Sequence, residues 1–114
     1  MRKEKQTPKE HLRPEAKSEA DLEILQVRRV VAGNPNTPRQ VLARLAEDQS
    51  ASIRRAVAEN PRTPVEILKK LVFDSDYEVR LAVAENANTP CETLALLACD
   101  KNADVRYGVA ESPH

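Results

Sequence analysis

Glycine is nearly missing from this chain, with two residues in 114. That excludes the Gly-rich turns that cradle phosphate groups, because those need residues without a Cβ where backbone approaches the ligand. Aromatic residues are almost as scarce: Phe73, Tyr77, Tyr107 and no tryptophan. A core must therefore be built from Leu, Val and Ala. Charge of one sign is also lacking, since eighteen basic residues balance eighteen acidic ones. A chain with no net charge has no overall field to draw nucleic acid or an anionic membrane. No apolar run approaches the roughly 18 residues of a membrane span. The opening stretch, MRKEKQTPKEHLRPE, has no apolar centre of the kind a signal peptide needs. These absences lead us to expect a cytoplasmic protein of one domain with reduced thiols.

What the chain does have is a period of 26 residues. Val27 to Asn34, Ile53 to Asn60, Val79 to Asn86 and Val105 to Ser112 read VRRVVAGN, IRRAVAEN, VRLAVAEN and VRYGVAES. Thr37, Thr63 and Thr89 keep the same interval, as do Pro38, Pro64 and Pro90. A fixed period in this range is the signature of stacked supersecondary units, each burying its apolar side only against its neighbours.

Each unit carries two helix-start signals. The first is Thr-Pro-x-Glu/Gln, read as a capping box: Thr37 with Gln40, Thr63 with Glu66, Thr89 with Glu92. In such a box the Thr hydroxyl accepts from the third helical amide, and Pro costs nothing at the first helical position. Apolar residues then follow at i, i+3, i+4 as Leu42-Leu45-Ala46, Leu68-Leu71-Val72 and Leu94-Leu97-Ala98, one stripe on one helix face. The second start is at Ser50, Asp76 and Asn102, all favourable N-caps. It leads a shorter helix of about two turns with Ile53-Ala56-Val57, Val79-Ala82-Val83 and Val105-Gly108-Val109 inward, and Val27-Val30-Val31 matches that set. Asn34, Asn60 and Asn86 are read as closing these helices, because Asn tolerates the left-handed conformation. Ala58 and Ala84, also inward, allow close approach of neighbouring units. The leucines named here and Val31, Val57, Val83 and Val109 form the expected core.

Residues 1–20 are polar and contain Pro8 and Pro14. They read as a loosely attached arm. However, Thr7-Pro8-Lys9-Glu10 followed by Leu12 copies the start of the later units, so a degenerate capping repeat is the other reading. Residues 21–114 form the repeat domain.

The combined pattern, VRRAVAxNPxTPxxxLxxLAxD, closely resembles the leucine-rich repeat variant family over about 86 residues, from Val27 to Ser112. The resemblance implies an all-α, right-handed solenoid of three to four two-helix units, the shorter helix possibly 3₁₀. It would be allied in shape to HEAT and armadillo stacks. A known architecture of that family sets a cysteine-rich iron–sulfur segment before the repeats. No cysteine precedes the repeats here, and a cluster needs about four thiolates where the chain has two. No cofactor is therefore implied.

Candidate chemistry is sparse. Cys91 and Cys99 are eight residues apart, about 12 Å of helical rise, which is too far for a disulfide or a shared metal. His11 and His114 have no second ligand nearby, so no metal site is expected. No constellation of nucleophile and base or of paired carboxylates appears, so the chain does not read as an enzyme. Arg28, Arg54, Arg80 and Arg106 recur identically, and Asp48, Asp74 and Asp100 each precede an Arg by six residues. Either these form an Asp–Arg ladder between units, which uses up the guanidinium donors, or the arginines are a stripe for an anionic partner such as nucleic acid.

The adjacent position varies: Arg29, Arg55, Leu81, Tyr107. Phe73 and Tyr77 fall near the same junction as Leu81. Aromatic and Arg side chains are frequent interface anchors; packing into a groove between units is the alternative for Phe73 and Tyr77. Residues that recur identically do the same structural work in each unit, and residues that vary while exposed are free to bind. On that argument Arg29, Arg55, Phe73, Tyr77, Leu81 and Tyr107 are the expected partner surface. The expected function is a non-catalytic protein-interaction or scaffold module, monomeric or weakly associated end to end.

Overall fold

The computed structural model describes residues 18–112. They form an all-α repeat solenoid of seven helices: α1 (Glu19–Gly33), α2 (Arg39–Leu45), α3 (Ala51–Glu59), α4 (Val65–Leu71), α5 (Tyr77–Glu85), α6 (Cys91–Leu97) and α7 (Ala103–Ala110). The odd-numbered helices stack in one continuous row, α1 on α3, α3 on α5, α5 on α7. The short even-numbered helices pack against the odd helices before and after them. The expectations for residues 1–17, including Thr7-Pro8 and His11, and for His114 lie outside the described residues.

The core runs along the join between the two rows. Leu42, Leu68, Leu71, Leu94, Leu97, Val57 and Val83 are buried, with Leu45 and Val109 packed against them from the ends. Ala58 and Ala84 are fully buried, where a larger side chain would push adjacent odd helices apart. Leu71→Ala in the central unit would cost about 2–5 kcal/mol through lost contacts and a residual cavity.

Five local expectations need correcting. The shorter helices are the Thr-Pro helices, seven residues each against nine for α3 and α5, and no 3₁₀ helix occurs among the described residues. The Thr-Pro motif is not a capping box, because α2, α4 and α6 have Pro38, Pro64 and Pro90 as N-caps without a side-chain bond. Each Thr hydroxyl instead donates backwards, Thr37 to the Val31 carbonyl, Thr63 to Val57 (2.6 Å) and Thr89 to Val83 (2.7 Å). Those carbonyls belong to the last turn of the preceding helix, where the only local donor each has is the amide of the C-cap Asn34, Asn60 or Asn86, so the Thr hydroxyl fills a second acceptor position. Of the second caps, Asp76 and Asn102 do accept from helix amides, while Ser50 bonds no amide of α3.

Asn34, Asn60 and Asn86 are not left-handed. Their φ, ψ pairs of −80°, 122°, −71°, 121° and −77°, 124° are extended, the conformation that a following Pro favours at Asn34 and Asn60. Asn60 and Asn86 are buried, and each acts as a staple between units. The Asn60 amide nitrogen donates to the Ala32 and Asn34 carbonyls at 2.8 and 3.0 Å. Asn86 repeats this on Ala58 and Asn60 at 2.8 and 3.1 Å. The other side-chain atom, Oδ1, accepts from the amide two residues on, Arg62 or Asn88, and holds the turn.

Candidate functional site: a variable face beside a closed arginine ladder

The recurrent arginines lie between turns of the solenoid. Arg54 Nε and Nη2 grip both carboxylate oxygens of Asp74 at 2.7 and 3.2 Å, and Arg80 grips Asp100 in the same way at 2.7 and 3.1 Å. Arg28 starts the series with a 3.3 Å pair to Asp48. The Nη1 atoms of Arg54, Arg80 and Arg106 donate to the carbonyls of Asp48, Asp74 and Asp100, within their own units. Each aspartate also accepts from the amide two residues on, at Ser50, Asp76 and Asn102, which holds the loop that leads into the next odd helix.

Arg54 and Arg80 thus bridge two units through planar, bidentate bonds, which a lysine could not reproduce. The bond to Asp74 raises the Arg54 pKa, and that to Asp100 raises Arg80. The Arg80 guanidinium also holds the Asp100 carboxyl below the ordinary carboxylate range, against the opposing effect of burial. Arg106 is exposed and stands at the open end of the series.

The variable position is on the odd-helix row. Arg55, Tyr77 and Leu81 come together around one hollow of about 110 Å³, with Glu59, Glu78, Ala82, Glu85 and Asp104 completing its wall. Arg55 pairs with Glu59 at 3.0 Å along its own helix and with Glu78 at 3.4 Å on α5, and the Glu59 bond raises its pKa. One guanidinium therefore faces four carboxylates. Leu81 reaches on to α7, where its Cδ1 lies 2.6 Å from the place a Cβ on Gly108 would occupy. Tyr77 is part-exposed at the mouth.

Arg29, Phe73 and Tyr107 do not line this hollow. Phe73 and Tyr107 are 76% and 67% exposed, Phe73 just past α4 and Tyr107 on α7. The acidic rim was missed in the sequence reading. Its signal lay in Glu59 and Glu85, which recur one period apart, but only the stacking of α3, α5 and α7 brings them to Glu78 and Asp104.

A second depression of about 360 Å³ lies between α2 and α4, lined by Arg39, Gln40, Ala43, Pro64, Glu66, Ile67 and Lys70. The 3.7 Å pair of Arg39 and Glu66 spans the same two helices. Cys91 and Cys99 are free and exposed. Among the described residues no group of three or more His, Cys, Asp or Glu could hold a metal, and no helix is long and apolar enough to cross a membrane.

The family model for leucine rich repeat variant matches residues 25–50, 51–76 and 77–101 in succession. The chain belongs to the leucine rich repeat variant family. Each matched repeat runs from an odd helix through the ladder aspartate to the start of the next odd helix, so its frame begins half a unit before the units used above, which run from a Thr-Pro helix to the odd helix that follows. Comparison with curated proteins and with solved structures returns no match.

Proposed function

We propose that this array of leucine rich repeat variant units is a non-catalytic protein-interaction module, and that the α3–α5–α7 face takes a basic segment of a partner protein. One observation carries the reading: Arg55, Tyr77 and Leu81, which vary from unit to unit, share a hollow rimmed by Glu59, Glu78, Glu85 and Asp104. Four carboxylates around a part-exposed tyrosine suit an Arg- or Lys-bearing peptide. The cation can lie over the tyrosine ring and meet charge-assisted acceptors together. Arg29, Phe73 and Tyr107 would extend contact beyond the hollow.

Nucleic acid is the weaker reading. It needs free guanidinium groups, and those of Arg54 and Arg80 are engaged by Asp74 and Asp100.

The test is a random peptide display selected on the wild-type protein and counter-selected on a Tyr77→Ala, Glu78→Lys variant. Enriched peptides should be rich in Arg and Lys and should lose binding to the variant. Enrichment without basic residues, or equal binding to the variant, would reject the site. In parallel, duplex DNA should show no salt-sensitive binding. A steep fall in its affinity between low and moderate salt would instead favour phosphate contacts.

A further inference from the structure

Among the described residues the outer side of α1, the first helix they form, is uncovered. Val27 and Val30 are in register with Ile53 and Ala56, which are 0% and 8% exposed, yet they are themselves 61% and 60% exposed. Ile24, at 52%, continues the stripe, and Val31 and Ala20 flank it. On a helix these residues fall on one face, at i, i+3 and i+6 from Ile24 with i−4 and i+7 beside them. The opposite side of α1, carrying Leu25 and Ala32, packs into the solenoid. Among the described residues nothing lies over the Ile24–Val27–Val30 stripe.

We propose that a second copy of this chain covers it, α1 against α1 in an antiparallel, two-fold pair. Two observations select that occupant. First, the stripe is not shaped to receive the far end of another solenoid. The row accepts a preceding unit through a small residue, Ala56, Ala82 or Gly108. Gly108 has no room for a Cβ without Leu81 moving. Val30 stands at that position in α1, and Tyr107 is the residue that end-to-end stacking would press onto it.

Second, the edge of the stripe is self-complementary. Asp21 and Arg28 are seven residues apart and so lie along the same edge. An antiparallel two-fold brings each copy's Asp21 beside the other's Arg28, and because such a contact is isologous the pair occurs twice. Arg28 is still half exposed after its pair with Asp48, so it retains donors for a second carboxylate. One helix of 15 residues is about 22 Å long. Its face falls short of the roughly 800 Å² per partner of a standard interface, so the dimer is weak.

Sedimentation equilibrium of the full chain, from micromolar to about millimolar concentration, tests this. The mass should rise from 12.7 kDa to twice that value and stop. Val27→Glu should remain at the single-chain mass with unchanged helicity, since Val27 is already exposed. Asp21→Lys should weaken the dimer about fivefold, as expected for loss of two exposed ion pairs. Tyr107→Glu should leave it intact.

A wild-type chain monomeric throughout would overturn the proposal, including the case in which residues 1–17 occupy the stripe. A mass that climbs past two chains would mean open end-to-end stacking and overturn it equally. So would a dimer that survives Val27→Glu. An Asp21→Lys dimer of undiminished affinity would overturn the antiparallel arrangement.

Discussion

Leu81 and Gly108 are a matched pair across the α5–α7 contact. The Leu81 Cδ1 atom takes the space in which a Cβ at residue 108 would fall, 2.6 Å away, and Ala84 stands behind at 3.6 Å. In the two preceding units the same positions hold Arg29 with Ala56 and Arg55 with Ala82. Where the variable residue turns apolar and presses inward, the facing residue loses its side chain.

That match predicts a coupled response. Gly→Ala inside a helix gains about 1 kcal/mol in propensity, but at Gly108 the new methyl group must displace the Leu81 side chain. Gly108→Ala alone should therefore change stability by less than the full gain. In a Leu81→Ala background the same substitution should recover about 1 kcal/mol. Urea melts over the double-mutant cycle measure the difference; strict additivity would show that the two side chains do not compete.

The ladder predicts unequal arginines. Arg80→Ala leaves the mostly buried Asp100 without its bidentate partner, and loss of one member of such a pair costs about 3–5 kcal/mol. Arg29→Ala, at an exposed position without an ion-pair partner among the described residues, should stay within about 0.5 kcal/mol of wild type. Denaturant midpoints for the two variants compare them directly. Similar small effects would mean that the ladder contributes little to holding the units together.

Asn60→Ala should destabilise more than its lost surface suggests. It removes the one side-chain donor that the described residues offer the Ala32 carbonyl, and a buried acceptor left without a partner costs about 1–3 kcal/mol; the Asn34 carbonyl keeps the Thr37 amide. Asn60→Asp should be at least as harmful, because it sets a carboxylate against those carbonyl oxygens. Native-state hydrogen exchange should show α1 opening more readily in both variants, since the staple ties the α1 end to the next unit.

Stability should fall in acid with a contribution traceable to Asp100. Its folded-state pKa is depressed by the Arg80 bond, assisted by the Asn102 amide. A depressed carboxylate stabilises fully above its unfolded value of about 4, and that stabilisation is lost as pH drops through the lower folded value. Urea midpoints between about pH 5 and pH 2 should therefore decline less steeply in Asp100→Asn than in wild type. An identical slope would remove Asp100 from the acid response.

The sequence by itself determined the 26-residue unit, its two helices and the leucines and valines of the core except Val31, which is only half-buried on α1, because apolar spacing and Pro punctuation are local signals written within one unit. It also marked the positions of Thr63, Asn60 and Arg54 by their recurrence, but not their partners. Thr63 reads locally as a capping residue and Asn60 as a helix closer. In the structure their bonds go to carbonyls 6 and 28 residues earlier in the chain.

Only the tertiary structure decided those partners. The rise and rotation from one unit to the next settle which backbone groups lie within 3 Å, and no spacing inside a unit encodes them. The same offset gathers Arg55, Tyr77 and Leu81 with four carboxylates and leaves Phe73 outside. It also explains Val27 and Val30, whose pattern is that of core residues. Burial in a solenoid is supplied by the neighbouring unit, and among the described residues no unit precedes α1, so the same pattern that buries Ile53 leaves Val27 exposed.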